Sequence, residues 1–246
     1  GGPSAISAVT YGTKKIKPVN KVIGPGNQFV SAAKKEVSGD IGIEAMTAGP
    51  SEVLIVADKS SNPEWLASDL LGQAEHDQLA QCILISKDKN ILEKTKKEVF
   101  EQLKNLPRSS IAKKSLMMNG ILIYANSDKK IIEITNKIGP EHLELNVKNY
   151  KSFVAKIKNA GSVCLGKYAV MAMTDYGAPG SNHVLPTDSS SKYSSGLNVS
   201  EFMKKISYIT LSKKGIDKLG PSVITLANYE GLQGHAQSIV KRIRRK

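Results

Sequence analysis

Apolar residues in the middle of the chain fall into short continuous runs, separated by longer segments in which they recur with helical period. The runs cover residues 53–57, 82–85, 121–124, 143–147 and 162–165. Runs of this length are typical of strands buried on both faces, and their alternation with helices is typical of a parallel sheet. The pattern therefore predicts an α/β fold with a mostly parallel sheet, whose functional residues are expected at the carboxyl ends of the strands.

The helix that follows the first run has a clear beginning. Asn62 is a good N-cap, Pro63 suits the first turn, and Glu64 complements the positive end of the helix. We expect this helix to extend through Gln73 to His76, which would place these two side chains on one face. Further helices are predicted at residues 5–11, 29–37, 90–106, 128–138 and 150–160.

The pattern changes after residue 165. Residues 174–183 contain an acid, a histidine and several glycines, and we expect a binding loop there. Residues 187–197 are rich in serine and aspartate, which predicts an exposed loop or a domain boundary. Residues 201–206, 213–219 and 222–243 are again helical in character, which predicts a small helical unit near the C-terminal end.

Composition narrows the class of protein. A hydrophobic content of 40% excludes a disordered chain. The sequence contains neither an apolar run of 18 residues nor a signal-peptide core, so we expect a soluble, cytoplasmic protein that does not span a membrane. Cys82 and Cys164 lie inside predicted strands, which favours buried thiols in a reducing compartment over a disulfide or a nucleophile.

The formal net charge of +13 raises the question of an anionic partner. Most lysines are spread along amphipathic helices, and only residues 241–246 form a basic cluster. A dispersed distribution favours a solvated basic surface over a nucleic-acid interface, which stays open as an alternative. The same surface also suits an anionic cofactor.

Several side chains have the character of metal ligands. Gln73, His76, Asp175 and His235 would together supply two imidazoles, one carboxylate and one amide oxygen. This mixture suits zinc or a similar divalent ion and leaves room for a substrate. The alternative is that the histidines are ordinary residues at helix ends.

A second candidate is the dipeptide Glu141-His142, which follows Gly139-Pro140 and precedes a predicted strand. Pro140 ends the preceding helix, so we expect both side chains in a turn at a strand edge. A histidine beside a carboxylate suits general base catalysis, and a solvated turn pair is the alternative. The turn at residues 24–27 opens a helix, which suits either phosphate binding or plain connection.

Six motifs, in this order, resemble the histidinol dehydrogenase family along nearly the whole chain. They are Gly24-Pro25-Gly26-Asn27, Ala48-Gly49-Pro50-Ser51-Glu52-Val53, Gln73-Ala74-Glu75-His76-Asp77, Gly139-Pro140-Glu141-His142-Leu143, Asn182-His183-Val184-Leu185-Pro186-Thr187, and Glu230 with His235. The resemblance implies NAD-linked oxidation of L-histidinol, through the aldehyde, to L-histidine, with a zinc ion that holds the substrate. It covers the C-terminal portion of the family chain and leaves an N-terminal region unmatched.

The resemblance assigns roles to individual residues. It implies that Gln73, His76, Asp175 and His235 bind zinc and face the substrate, with His235 and Glu230 acting from the partner subunit of a homodimer. Glu141 and His142 correspond to the catalytic pair. The remaining assignments are substrate contacts at Ser51, His142, His183 and Glu230, and NAD contacts at Ser4 and Asn27.

The implied architecture has two incomplete Rossmann-like parallel sheet units and a helical tail. Residues 1–50 would end the second unit, residues 51–197 would form the main unit with the zinc and catalytic residues, and residues 198–246 would form a helical dimerisation domain. Two alternatives stay open. One is a related dehydrogenase of another small amino or sulfonated alcohol, and the other is a non-catalytic zinc-binding fragment.

Overall fold

A computed structural model describes residues 1–44, 49–177 and 182–243. It divides the chain into two compact units, residues 1–202 and residues 203–246. The division lies close to the predicted start of the C-terminal domain at residue 198, and the predicted separation of residues 1–50 from residues 51–197 stays a prediction. Ala48 of the second motif and residues 178–181 of the predicted binding loop lie outside the described residues.

Strands and helices alternate through most of the first unit. The strands are β1 (Lys21–Val22), β2 (Gly42–Ile43), β3 (Glu52–Ala57), β4 (Gln81–Ser86), β5 (Gly120–Tyr124), β6 (His142–Asn146) and β7 (Ser162–Leu165). The helices of the first unit are α1 (Gly2–Tyr11), α2 (Gln28–Glu36), α3 (Pro63–Ala74), α4 (Lys89–Leu103), α5 (Ser109–Asn119), α6 (Asp128–Ile138), α7 (Lys151–Val154) and α8 (Met171–Tyr176).

The central sheet has five parallel strands in the order β5-β4-β3-β6-β7. The predicted α/β fold with a parallel sheet is therefore confirmed. A separate pair, β1 and β2, is also parallel. β3 and β6 are neighbours near the middle of the sheet. β4 and β5 follow β3 toward one edge, and β7 follows β6 at the other edge.

The three central strands, β4, β3 and β6, are buried on both faces, whereas the edge strands β5 and β7 are largely exposed. Val53, Ile55 and Leu84 pack on one face beneath α3, α4 and α5. Leu54 and Leu143 pack on the opposite face beneath α6 and α7. Side chains alternate between the faces along each strand, so this division also decides which side of the sheet each polar residue of β6 occupies.

Helix α3 begins as predicted, with the Asn62 side chain accepting a hydrogen bond from the Glu64 N–H at 2.9 Å. It ends at Ala74, before His76. Two other helices were missed: α5 was not predicted, and α8 was treated as part of a loop. α5 has no side-chain hydrogen bond at its N-cap, so its beginning carries no sequence signal, and α8 has only six residues, over which helical period is hard to recognise.

Residues 187–197, predicted as an exposed loop or a domain boundary, belong to the first unit and are partly buried in it. Ser190 is fully buried, and the hydroxyls of Ser189 and Ser191 donate to the carbonyls of Ile138 and Gly139. The segment includes a short 3₁₀ helix, Ser190–Lys192. It therefore supports the turn that leads to Glu141.

The second unit contains α9 (Lys213–Tyr229) and α10 (Gln233–Ile243), which pack against each other. The predicted helical unit is present, although α9 continues through Pro221 and no α-helix forms at residues 201–206 among the described residues. A 3₁₀ turn, Val199–Phe202, ends the first unit. In the described part of the chain no helix combines the length and apolar character needed to cross a membrane.

Candidate active site

The residues predicted to carry chemistry gather at the amino ends of the central strands. Ser51 precedes β3, and Glu141 and His142 stand at the start of β6. Gln73 lies in the last turn of α3, which returns to the same edge as the β-α-β unit requires. The expectation of a site at the carboxyl ends is therefore wrong, because these residues come from segments that lead into the strands. A cavity of about 410 Å³ at the carboxyl ends contains none of the predicted site residues.

Glu141 is held in place by reciprocal hydrogen bonds with Glu52. The Glu52 N–H donates to Oε2 of Glu141 at 2.9 Å, and the Glu141 N–H donates to Oε2 of Glu52 at 3.3 Å. Oε1 of Glu52 also accepts from the Asp188 N–H at 3.1 Å. Because β3 and β6 are adjacent parallel strands, the position of Glu141 is fixed by their pairing.

The environment of Glu141 alters its acidity. Burial raises the pKa of Glu141 to about 7; the hydrogen bond from Glu52 opposes the rise, and the negative charges of Glu52 and Asp175 add to it. A carboxyl group with a pKa near neutrality can take up and release a proton under the same conditions, as acid–base catalysis requires. Burial likewise raises the pKa of Glu52.

His142 is the first residue of β6, so it lies on the strand and not in the predicted turn. It is 5% exposed, and the buried Nδ1 has no hydrogen-bond partner among the described residues. Nε2 lies 3.8 Å from Oε1 of Glu141. Burial lowers the pKa of His142 to about 4; the charge of Asp175 opposes this, and His76 and His183 reinforce it. The imidazole is therefore neutral at pH 7 and able to accept a proton.

The effects of neighbouring charges on the pKa of His142 also indicate which residues lie near it. The structure brings Asp175, His76 and His183 close enough to His142 to influence its ionisation. Burial of both Glu141 and His142 excludes the alternative of a solvated turn pair. The predicted pair is thus buried at the edge of the sheet, with the more exposed groups Asp175, His76 and His183 near it.

Gln73 and His76 do not share a helical face as predicted. The chain tightens after α3 into a turn in which the His76 N–H donates to the Gln73 carbonyl at 3.2 Å, and His76 is exposed. Gln73 is 1% exposed, and neither its Oε1 nor its Nε2 has a hydrogen-bond partner among the described residues. Leaving a buried polar group unpaired costs about 1–3 kcal/mol, so this amide is suited to a ligand that would complete its contacts.

Asp175 lies near the end of α8, and its side chain is partly buried. The next residue, Tyr176, was not predicted as a site residue. Its ring packs edge-on against His183, with 6.3 Å between the ring centroids and 72° between the planes. An isolated tyrosine gives no spacing signal, and only its position beside Asp175 could have identified it.

A cavity of about 420 Å³ lies beside the catalytic pair. Its walls include Ser51, Glu141 and His183, and Gly26 of the turn at residues 24–27 also contributes to them. The predicted substrate contacts Ser51 and His183 therefore share one cavity with Glu141. A cavity of this volume is large enough for a small amino alcohol.

The two predicted cofactor contacts lie on the first two helices. Asn27 is the N-cap of α2, and its side-chain oxygen accepts hydrogen bonds from the N–H groups of Phe29 and Val30, both at 3.1 Å. Ser4 lies on α1, and its side chain is exposed. The turn before Asn27 reaches the cavity through Gly26, whereas the roles of Asn27 and Ser4 toward NAD stay predictions.

Glu230 and His235 belong to the second unit. Glu230 is the C-cap of α9, His235 lies in the first turn of α10, and both side chains are exposed. Their predicted action from a partner subunit stays a prediction.

Comparison with known proteins identifies the family of the chain. A model of the family described as Histidinol dehydrogenase matches residues 1–243. The chain belongs to the histidinol dehydrogenase family.

Relatives within the histidinol dehydrogenase family are similar along the whole chain. The histidinol dehydrogenase of Pelagibacter ubique is 74% identical over 246 residues, which are 100% of this chain and 57% of that protein. That of Listeria monocytogenes serovar 1/2a is 46% identical over 97% of this chain and 56% of its own length. A crystal structure of histidinol dehydrogenase from Elizabethkingia anophelis superposes with a TM-score of 0.92 at 43% identity, covering 99% of this chain and 56% of the other. The chain therefore spans little more than half the length of these relatives.

The zinc ligands implied by the histidinol dehydrogenase resemblance can be compared with the structure. Within the described ranges, no three His, Cys, Asp or Glu side chains are grouped so as to hold a metal ion. A shared site would not produce such a group in one chain, since only His76 and Asp175 are of these types and His235 would come from a partner. The unpaired buried amide of Gln73 fits a coordinating role.

Proposed function

We propose that the residues of this chain serve a zinc-dependent, NAD-linked oxidation of L-histidinol to L-histidine through L-histidinaldehyde. The observation that carries the proposal is the buried Glu141–His142 pair, in which the imidazole is neutral and the carboxyl group has a pKa of about 7. Family membership and the cavity shared by Ser51, Glu141 and His183 support it.

His142 is the base of the first oxidation. Its Nδ1 is inaccessible, which leaves Nε2 as the nitrogen that can take the proton of the substrate hydroxyl. A neutral imidazole accepts that proton without first having to lose one. Removal of the proton balances the departure of hydride from the carbinol carbon and leaves the aldehyde.

Glu141 serves the conversion of the aldehyde to the acid. Its carboxylate takes a proton from a water molecule as that water adds to the aldehyde carbon, and the resulting hydrate loses a second hydride. A pKa of about 7 makes this carboxylate a stronger base than an ordinary glutamate, because the same burial that raises the pKa favours proton uptake. The reciprocal bonds with Glu52 keep the carboxyl group oriented throughout.

Gln73, His76 and Asp175 would hold the zinc ion, with His235 supplied by the partner subunit. When bound, zinc orients the amine and imidazole of the substrate, and NAD accepts one hydride in each oxidation. Ser51, His183 and Glu230 would contact the substrate, and Ser4 and Asn27 would contact NAD.

The proposal includes a homodimer in the cytoplasm. Large apolar side chains of the second unit support a partner, since Tyr208, Ile209 and Tyr229 are each at least 88% exposed. The free thiols of Cys82 and Cys164 are consistent with a reducing compartment. Mixing His76→Asn with His235→Asn tests the shared site: each variant alone is expected to be inactive, and partial activity should return in mixed dimers.

The first test is zinc content together with NAD reduction on L-histidinol. We expect stoichiometric zinc and turnover, and His142→Asn should lower turnover by about 10²–10⁴-fold because a general base typically supplies that much. Asp128→Asn, which alters an exposed carboxylate paired with Lys87, is the matched control. Turnover within about tenfold of wild type in His142→Asn would contradict the base role. Zinc binding without turnover would support only a zinc-binding fragment.

A second test separates the two oxidations and the substrates. With L-histidinaldehyde supplied directly, Glu141→Gln should lose most of the second oxidation, while His142→Asn should be affected less than with L-histidinol. Faster turnover of another amino or sulfonated alcohol than of L-histidinol would instead favour a related dehydrogenase.

A further inference from the structure

A second pair of carboxyl groups lies behind the proposed catalytic and zinc-binding residues. Glu144 follows His142 by two positions on β6, so both side chains are on the same face of the sheet, the face that α3 covers. Asp69 lies on α3, one helical turn before Gln73. Glu144 is 1% exposed, which makes it one of the most buried charged residues among the described residues.

One oxygen of Glu144 holds the start of α8. Oε1 accepts a hydrogen bond from the N–H of Met171, the first residue of that helix, at 2.7 Å. Asp175 follows Met171 by one turn of the same helix. This hydrogen bond satisfies one of the N–H groups that lack a partner within the helix at its start, so Glu144 stabilises the element that carries a proposed zinc ligand.

The other oxygen of Glu144 faces Asp69. The two carboxyl groups are close enough for a side-chain hydrogen bond between them to influence the pKa of each. Oε2 of Glu144 and Oδ2 of Asp69 are buried and have no ordinary donor among the described residues. Two carboxyl groups can bond only when one carries a proton, so this contact requires a shared proton. Burial raises the pKa of both groups, and the charge of Asp69 raises that of Glu144 further.

We propose that Asp69 and Glu144 are positioning residues that share one proton and thereby fix α3, β6 and α8 relative to one another. The pair connects the helix that carries Gln73, the strand that carries His142 and the helix that carries Asp175. The inference rests on the proposed function for the roles of those three residues. Residues of this kind, which orient metal ligands from behind, typically contribute 10–100-fold in metal affinity or activity.

Two substitutions of Glu144 separate its hydrogen bonds from its volume. Glu144→Gln keeps an acceptor for the Met171 N–H and adds an N–H that donates to Asp69, so it imitates the protonated glutamic acid. Glu144→Met fills similar space but accepts no strong hydrogen bond. Glu144→Met leaves the Asp69 carboxyl group and the Met171 N–H without their partner and is therefore destabilising. The double variant Asp69→Leu/Glu144→Met replaces both carboxyl groups by apolar side chains, so it is expected to fold and is measured alongside. Asp128→Asn again serves as the exposed control.

The readouts are Co²⁺ affinity with its visible absorption spectrum, and amide hydrogen exchange at Met171, all on the whole chain. Glu144→Gln is expected to retain wild-type affinity, spectrum and exchange. Glu144→Met is expected to lose about 10–100-fold in Co²⁺ affinity, with an altered spectrum and exchange at Met171 at least about tenfold faster. Asp69→Asn, which can donate to Glu144, is expected to behave like Glu144→Gln.

Several results would overturn the proposal. Equal losses in Glu144→Gln and Glu144→Met would show that the hydrogen bonds are not what matters, and unchanged exchange at Met171 in Glu144→Met would show that Glu144 does not hold α8. Faster exchange with unchanged Co²⁺ affinity would show that holding α8 does not position Asp175. Failure of the proposed function is distinguishable: a wild-type chain that binds Co²⁺ with the expected variant pattern but never oxidises L-histidinol would refute the reaction and leave the positioning role intact.

Discussion

Replacing Glu141 by glutamine should make the protein less sensitive to alkaline conditions. The side chain is 8% exposed, and its Oε2 accepts the N–H of Glu52. An amide oxygen can accept the same hydrogen bond, so Glu141→Gln keeps the contact and removes the ionisation. The substitution therefore isolates the free-energy cost of placing a negative charge at this position.

The size and sign of the effect follow from the pKa. Burial raises the pKa of Glu141 from 4.5 to about 7, and each pKa unit corresponds to about 1.4 kcal/mol. A raised pKa means that the folded state binds this proton more tightly than the unfolded state. The stabilisation is therefore complete below about pH 4.5 and is lost as the pH rises through about 7. Above pH 8 the ionised carboxylate should lower the unfolding free energy of the wild type by about 3 kcal/mol. Glu141→Gln has no ionisable group at this position and should not show this decrease.

The assay is urea unfolding at several pH values between 5 and 8.5, with a chelator present and with the fluorescence of Trp65 as the probe. Trp65 is the single tryptophan of the chain and lies on α3. The quantity to compare is the unfolding free energy of the variant minus that of wild type, because the opposite titration of His142 largely cancels in this difference. The difference should grow by about 3 kcal/mol in favour of the variant. If the difference in unfolding free energy between Glu141→Gln and wild type did not change with pH, the reasoning would be refuted. For the control Asp128→Asn, this difference should not grow over the same pH range.

Three further predictions concern packing and reactivity. Gly161→Ala should lower the unfolding free energy by about 1–3 kcal/mol and displace Glu141, because the added Cβ would lie 2.7 Å from the Glu141 carbonyl oxygen. Thermal unfolding and turnover measurements would check this, and an unchanged melting temperature and turnover would contradict it. Leu143→Ala should cost about 2–5 kcal/mol in urea unfolding, because this fully buried side chain leaves a cavity between the sheet and its helices. Cys82 and Cys164 should react slowly with thiol reagents in the native state and rapidly in urea, because burial raises the pKa of each thiol to about 12.

The sequence predicts the sheet well because its strands are continuous apolar runs bounded by polar turns. It also identifies Glu141 and His142 as neighbours, since adjacent residues remain adjacent whatever the fold. Other local predictions failed where tertiary structure ended an element early. Helix α3 stops at Ala74, so the spacing of Gln73 and His76 no longer describes a helical face.

Residues that support the site from a distance are harder to identify. Glu144 interrupts the apolar pattern of β6, but only the pairing of strands and the position of α8 show what it contacts. Asp69 is likewise only one of two acids on its helix, and nothing in the sequence connects it with Glu144. Sequence spacing describes contacts within one element, whereas these contacts join three elements.

The reciprocal bonds between Glu52 and Glu141 have a consequence for redesign of the site. Because of these bonds, the register of the strands fixes the location of the Glu141 carboxyl group. The walls of its cavity also include Val184 and Leu185, which come from a connecting segment. Altered substrate preference should therefore be sought by varying Val184 and Leu185 themselves, while the following residues up to Asp188, whose N–H donates to Glu52, are left unchanged. Insertions ahead of either strand would be poor starting points, because a single added residue would shift the acid and the sheet together.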